Sequence, residues 1–235
     1  MIMKIKLHYI ILFACMAGFL SCKKDNYDAP SSTLSGKLVY NGESFGLEKD
    51  QVPFQLYQYG FGKVGPIGAS FTQEGTYSAV LFDGEYKLIV PNGQGPFLWK
   101  QTPDGKPDTV VINLKGSQVL DLQVTPYYMI RNSQISAAGG NVNATFKVDK
   151  IITDANAKDI DNVTLYINKT QFVSPGNNIA TAGIGGSAIV DPNNITLTVA
   201  IPSISPAQNY VFARVGLKIA GVEDRIFSPV QKIQL

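Results

Sequence analysis

Apolar and polar residues alternate along much of this chain in short runs. Val142, Ala144, Phe146 and Val148 alternate with Asn141, Asn143, Thr145 and Lys147. A period of two predicts a strand with one buried face. Ile195, Leu197, Val199 and Ile201 repeat the pattern against Thr196 and Thr198. Val52, Phe54 and Leu56 do so against Gln51, Gln55 and Tyr57, with Pro53 suiting the start or edge of a strand. Further runs at 34–40, 76–80, 85–90, 108–114, 119–124, 163–167, 210–219 and 225–233 read as strands. Asn41-Gly42, Asp83-Gly84, Lys115-Gly116 and Ala220-Gly221 supply turns between runs. No long amphipathic helical pattern interrupts them, so the predicted class is all-β.

The runs fall into two groups. Residues 34–125 hold roughly seven short strands, about the content of one β-sandwich. Val124-Thr125-Pro126-Tyr127-Tyr128 reads as a junction, because Pro126 holds Thr125 extended and the two tyrosines can pack between domains. Residues 126–235 begin a second pattern with no strong repeat of the first. The expectation is two different β-sandwiches in tandem. Residues 176–186, rich in Gly, Asn and Ala, are expected to form a loop or a poorly ordered strand.

The first residues follow another logic. Lys4 and Lys6 precede an apolar run from Tyr9 to Leu20, the order of a secretory signal and too short for a stable membrane-spanning helix. Ser21-Cys22 resembles a lipobox. Residues 1–21 are therefore expected to be a signal peptide, with Cys22 the lipidated first residue of the mature protein. Residues 22–33 are polar and expected to form a tether. The expected location is the outer membrane, lipid-anchored and facing the cell exterior.

Composition narrows the chemistry. The formal charge is +2, and setting aside Lys4 and Lys6 leaves basic and acidic residues equal in number. A nucleic-acid-binding protein needs a basic excess, so no nucleic-acid partner is expected. The single His, His8, lies in the leader, as does Cys15. The body then lacks a Ser-His-Asp triad, a Cys-His pair, a His/Cys zinc site and internal disulfides. No cofactor, no metal and no catalytic residue are expected.

Candidate binding residues lie in two places. The loop at 91–107 holds the single Trp, Trp99, with Phe97, Gln101 and Asp104 close in sequence. A flat aromatic ringed by amide and carboxylate groups suits the apolar face and hydroxyls of a sugar. Trp99 as a cap on the sandwich core is the alternative. Tyr57, Tyr59 and Phe61 alternate, so a strand would aim them to one side, as a ligand platform or as core positions beside a bulge. Asp83 with Glu85, or Asp104 with Asp108, could form a glycosidase pair, but Asp-Gly is an ordinary turn sequence. Asp154, Asp159 and Asp161 lack EF-hand spacing and read as a solvated loop.

Gly75-x-Tyr77 and Gly84-x-Tyr86-x-Leu88 are similar to transthyretin-like and carboxypeptidase-regulatory-like modules, in which the aromatic enters the core. Tyr210-x-Phe212-x-Arg214-Val215 resembles the penultimate strand of immunoglobulin-like and fibronectin-like domains. With Cys22, Asp25-Asn26-Tyr27-Asp28-Ala29-Pro30, Leu34-x-Gly36 and Asp108-Thr109-Val110, the chain resembles a two-domain Bacteroidetes lipoprotein family of unknown function, the DUF3823-like proteins. The resemblance implies a transthyretin-like sandwich followed by an immunoglobulin-like one. It also implies an association with outer-membrane glycan importers of the starch-utilisation type, and it brings no catalytic residues. The expected function is non-catalytic assistance in glycan capture. The alternative is a structural or assembly partner of outer-membrane surface proteins that binds no sugar itself.

Overall fold

A computed structural model describes residues 28–60 and 64–235. The expected signal peptide, the lipidation site Cys22 and Phe61 lie outside the described residues. No described helix is long and apolar enough to cross a membrane. Ser31–Leu235 forms one compact unit.

The amino-terminal half carries β1 (Ser32–Tyr40), β2 (Glu43–Ser44), β3 (Pro53–Gln58), β4 (Ile67–Ser70), β5 (Thr76–Leu81) and β6 (Gly84–Ile89). It continues with β7 (Phe97–Leu98), β8 (Val110–Leu114), β9 (Gln118–Val119), β10 (Leu122–Gln123) and β11 (Thr125–Pro126). The other half carries β12 (Tyr128–Ala138), β13 (Asn141–Lys150), β14 (Ile160–Asn168), β15 (Ala180–Gly185) and β16 (Ile195–Ala200). It ends with β17 (Tyr210–Ile219), β18 (Arg225–Phe227) and β19 (Gln231–Gln234).

Each half is a sandwich. In the first, β1 is shared by antiparallel β5 and β2 and by parallel β9 and β10, and this layer faces the sheet β4-β3-β6-β8. The inward sides meet as predicted by the period of two: Phe54, Phe71 and Tyr77 form an aromatic cluster with centroids 4.9 to 5.9 Å apart. Tyr77 and Tyr86 both enter the core, as the Gly-x-Tyr pattern predicts. In the second half, β12-β13-β16 faces β15-β14-β17-β18, and β19 also pairs with β17.

The structure refines the sequence reading at three places. The tether expected over 22–33 ends earlier, because Thr33 pairs with Val80 and the buried Ser32 hydroxyl donates to Asp83. Of the two readings of 176–186, loop or strand, residues Ala180–Gly185 form the strand β15: Gly183 lies so close to Thr164 of β14 that an added Cβ would meet its hydroxyl at 2.7 Å. The junction read at 124–128 ends in the first residue of an eleven-residue strand, Tyr128.

The halves are docked on one another. One continuous apolar core runs from Leu34 to Ile233. Gly46 and Phe227 exchange both backbone hydrogen bonds across the junction, at 3.0 and 2.9 Å. Gln73 Nε2 donates to Gln171 O at 3.1 Å, and Arg131 pairs with Glu43 and Asp149. The Gly95 N–H donates to the buried carboxylate of Asp224 at 2.7 Å.

Asp224 gives this junction a pH dependence. Burial pushes its carboxyl above the ordinary range, while the Gly95 amide acts in the opposite direction. The folded state therefore holds the proton more firmly than the unfolded one. This contribution favours folding below the unfolded value of about 4 and is lost as pH rises through the folded value. Asp224→Asn keeps an oxygen acceptor for Gly95 and removes the titration. Denaturant unfolding from about pH 3 to about pH 7 should show equal or higher stability of the variant at neutral pH and a changed acid-side slope.

Candidate functional site

The loop after β6 does not present its tryptophan to solvent. Trp99 is 8 % exposed and its Nε1–H donates to Asp108 O at 2.8 Å. Phe97 is 4 % exposed and packs against Phe45, with centroids 6.1 Å apart. The ring of Trp99 closes the end of the sandwich, with its one polar atom satisfied by backbone, so the stacking platform expected at Trp99 and Phe97 is not formed. Gln101 lies at the surface, its Nε2 donating to Asn92 Oδ1 at 3.2 Å. Asp104 closes a turn, bound to Lys106 at 2.6 Å and to the Thr102 hydroxyl at 2.5 Å. Trp99, Gln101 and Asn92 do share a cavity of about 140 Å³ with Tyr127 and Lys158 of the other half, and Asp104 lies outside it. That volume is below the usual range for an enclosing ligand pocket.

Tyr57 and Tyr59 occupy a different kind of surface. β3 turns Phe54 and Leu56 inward and leaves Gln55 and Tyr57 on the outer side. On β6, Glu85 and Lys87 share that side, because Tyr86 and Leu88 point in. Register sets Tyr57 beside Lys87, and Lys87 beside Val111 of β8. The Tyr57 hydroxyl donates to Gln55 Oε1 at 2.8 Å. Tyr59, just past the end of β3, is 53 % exposed and has the Lys87 ammonium 4.8 Å from its ring centroid. A cation over an aromatic face holds the ring by about 0.5–1 kcal/mol at such a site. The face thus offers an exposed aromatic, a half-buried one and amide, ammonium and carboxylate groups in one plane. Sequence reasoning missed Lys87: the alternation of β6 puts it outward, but only the β3–β6 register puts it beside Tyr57.

Of the acidic residues weighed as catalysts, Glu85 lies on the outer face of β6, and the three aspartates hold local backbone and side-chain contacts. Asp83 accepts from Ser32 and from the Gly116 N–H at 2.9 Å, and these bonds hold its carboxyl below the usual range. Asp104 is lowered by Lys106 and Thr102, and Asp108 by Lys100 and the Thr109 N–H. A general acid needs a raised value at working pH, the opposite of this arrangement. Asp154 accepts from the Asn156 N–H at 2.8 Å, Asp159 lies 3.6 Å from Lys150 and Asp161 accepts from Asn162. Among the described residues, no three His, Cys, Asp or Glu side chains converge on a metal-sized site.

The family model described as protein of unknown function (DUF3823) N-terminal domain matches residues 32–125, and DUF3823_C, a domain of unknown function, matches residues 128–232. A DUF3823 family protein from Parabacteroides merdae is 36 % identical, with a TM-score of 0.76 over 88 % of this chain and 100 % of that one. A DUF3823 family protein from Bacteroides ovatus is 30 % identical, with a TM-score of 0.75 over the same shares. A Bacteroides uniformis protein, provisionally described as a carbohydrate binding protein, shares the fold at 18 % identity and a TM-score of 0.67, over 88 % of this chain and 100 % of that one. No protein of curated function matches. The chain belongs to the DUF3823 family.

Proposed function

We propose that this DUF3823 protein is a non-catalytic lipoprotein, anchored through Cys22 in the outer membrane, that captures glycan at the cell surface. The observation that carries the reading is the outer face of β3 and β6. Tyr59 offers an exposed ring steadied by Lys87, and Tyr57, Gln55 and Glu85 lie beside it. Apolar C–H faces of a sugar stack on such a ring, and its hydroxyls find donors and acceptors in the same plane. The fold shared with a protein provisionally described as carbohydrate binding points the same way. The leader and its lipobox-like Ser21-Cys22 support the anchor, and glycan importers of the same membrane are the partners that suit this role.

Tyr59→Ala tests the site. Affinity electrophoresis and calorimetry against plant and host polysaccharides should show binding weakened about tenfold or more, with the unfolding midpoint unchanged, since an aromatic contact contributes about 0.5–1.5 kcal/mol beyond its area. Unchanged affinity removes this face from the role. A chain that binds no glycan, and is instead recovered in a stable complex with outer-membrane proteins, has an assembly function.

A further inference from the structure

A second site lies where the two halves meet around Arg214. This arginine stands in the middle of β17 between the fully buried Ala213 and Val215, and is itself 1 % exposed. Its guanidinium lies against the Phe227 ring, 3.7 Å from the centroid. Nε donates to Val173 O, and Nη1 donates to Leu47 O at 2.9 Å. Nη2 is buried without a hydrogen-bond partner, and no described carboxylate lies within ion-pair distance of the guanidinium. Burial pushes its pKa down to about 10. Gln73 is buried as well, with Nε2 used on Gln171 O and Oε1 left without a partner. Buried polar atoms are paired in the great majority of cases, so an orphan donor and an orphan acceptor in one place call for a ligand group.

Both residues line one cavity of about 370 Å³, within the usual range for small-molecule sites and at a domain junction, where such sites concentrate. Its wall also carries Glu48, Lys49, Asp50 and Phe172. Two features argue against an anion. The charges of Glu48 and Asp50 offset those of Lys49 and Arg214. Only one guanidinium nitrogen remains free, whereas the forked pairing with a carboxylate uses two parallel N–H donors. A hydroxyl pair matches better, because a hydroxyl both donates and accepts. Phe172, 39 % exposed and with the Lys49 ammonium 4.7 Å from its ring centroid, supplies an aromatic surface in the same cavity wall.

We propose that this cleft binds a vicinal hydroxyl pair of a neutral sugar residue. One hydroxyl oxygen accepts from Arg214 Nη2, its neighbour donates to Gln73 Oε1, and a C–H face meets Phe172. The inference rests on the glycan-capture reading and deepens it, yet uses none of Tyr57, Tyr59 or Lys87. The test is a titration of the isotope-labelled chain with methyl glycosides of glucose, galactose, mannose and xylose, followed by NMR at the Arg214 Nε–H and Gln73 side-chain amide signals. The expected result is a saturable shift of both with at least one neutral glycoside. Gln73→Met and Phe172→Ala should each weaken it about tenfold or more, the scale of one lost buried hydrogen bond to a charged network or one aromatic contact. Arg214 stays in place because it ties β17 to Val173 O of its own half and to Leu47 O of the other. Shifts confined to the surroundings of Tyr57 and Tyr59 overturn this site and leave surface capture standing. Shifts at Arg214 with oligogalacturonate alone overturn the neutral-diol assignment. Polysaccharide retention in gels without any Arg214 shift overturns the cleft only, and absence of both overturns the capture reading with it.

Discussion

Gly36→Ala is expected to cost the fold at least about 3 kcal/mol, the severe end of single-residue effects. Gly36 sits in β1, the strand that four others pair with. An added Cβ would lie 1.9 Å from the backbone oxygen of Leu120. That oxygen accepts the Tyr77 hydroxyl at 2.7 Å, and the Leu120 N–H donates to Ser35 O at 2.8 Å. The obstacle is backbone, so no side chain can swing away to relieve it. Moving Leu120 would break both bonds and strand the buried Tyr77 hydroxyl. Urea unfolding should show a large fall in midpoint or no folded protein. A change within about 0.5 kcal/mol, typical of an ordinary surface substitution, would contradict the packing described.

Trp99→Ala is the second. Truncating a buried tryptophan removes its contacts and leaves a cavity, and about 3–5 kcal/mol is expected. The Asp108 carbonyl also loses its indole donor. Glycan affinity, measured where the variant remains folded, should be close to that of the unaltered chain. The discriminating result is a variant of unchanged stability that has lost binding. It would mean that Trp99 meets the ligand after all and does not close the core.

How far the sequence reveals this molecule depends on which facts are local. Strand alternation is local, and it predicts the inward sides of β3, β13 and β16 residue by residue. It also puts Tyr57 on the outer side of β3. Trp99 lies in a loop with no period, so nothing nearby distinguishes a platform from a cap. The deciding partner is a backbone carbonyl nine residues on. Composition leaves β15 open between loop and strand because Gly and Ala weaken intrinsic strand preference, while pairing along β14 imposes the strand. Arg214 is visible as a charge inside an apolar run, but its function is not. Its carbonyl partners stand 41 and 167 residues away in the chain: the fold of its own half brings Val173 to it, and only the docking of the halves brings Leu47. The two halves also form a continuous core that no single stretch of sequence indicates, because Gly46 and Asp224 look like ordinary loop or strand-end residues until Phe227 and Gly95 meet them.

The central claim is capture of glycan without catalysis. The most direct measurement is calorimetric titration of the unaltered chain with a panel of plant and host polysaccharides, with reducing-end release followed in the same samples. Saturable heat with at least one polysaccharide and no new reducing ends are expected. Absence of binding across the panel, or release of reducing ends, would contradict that claim.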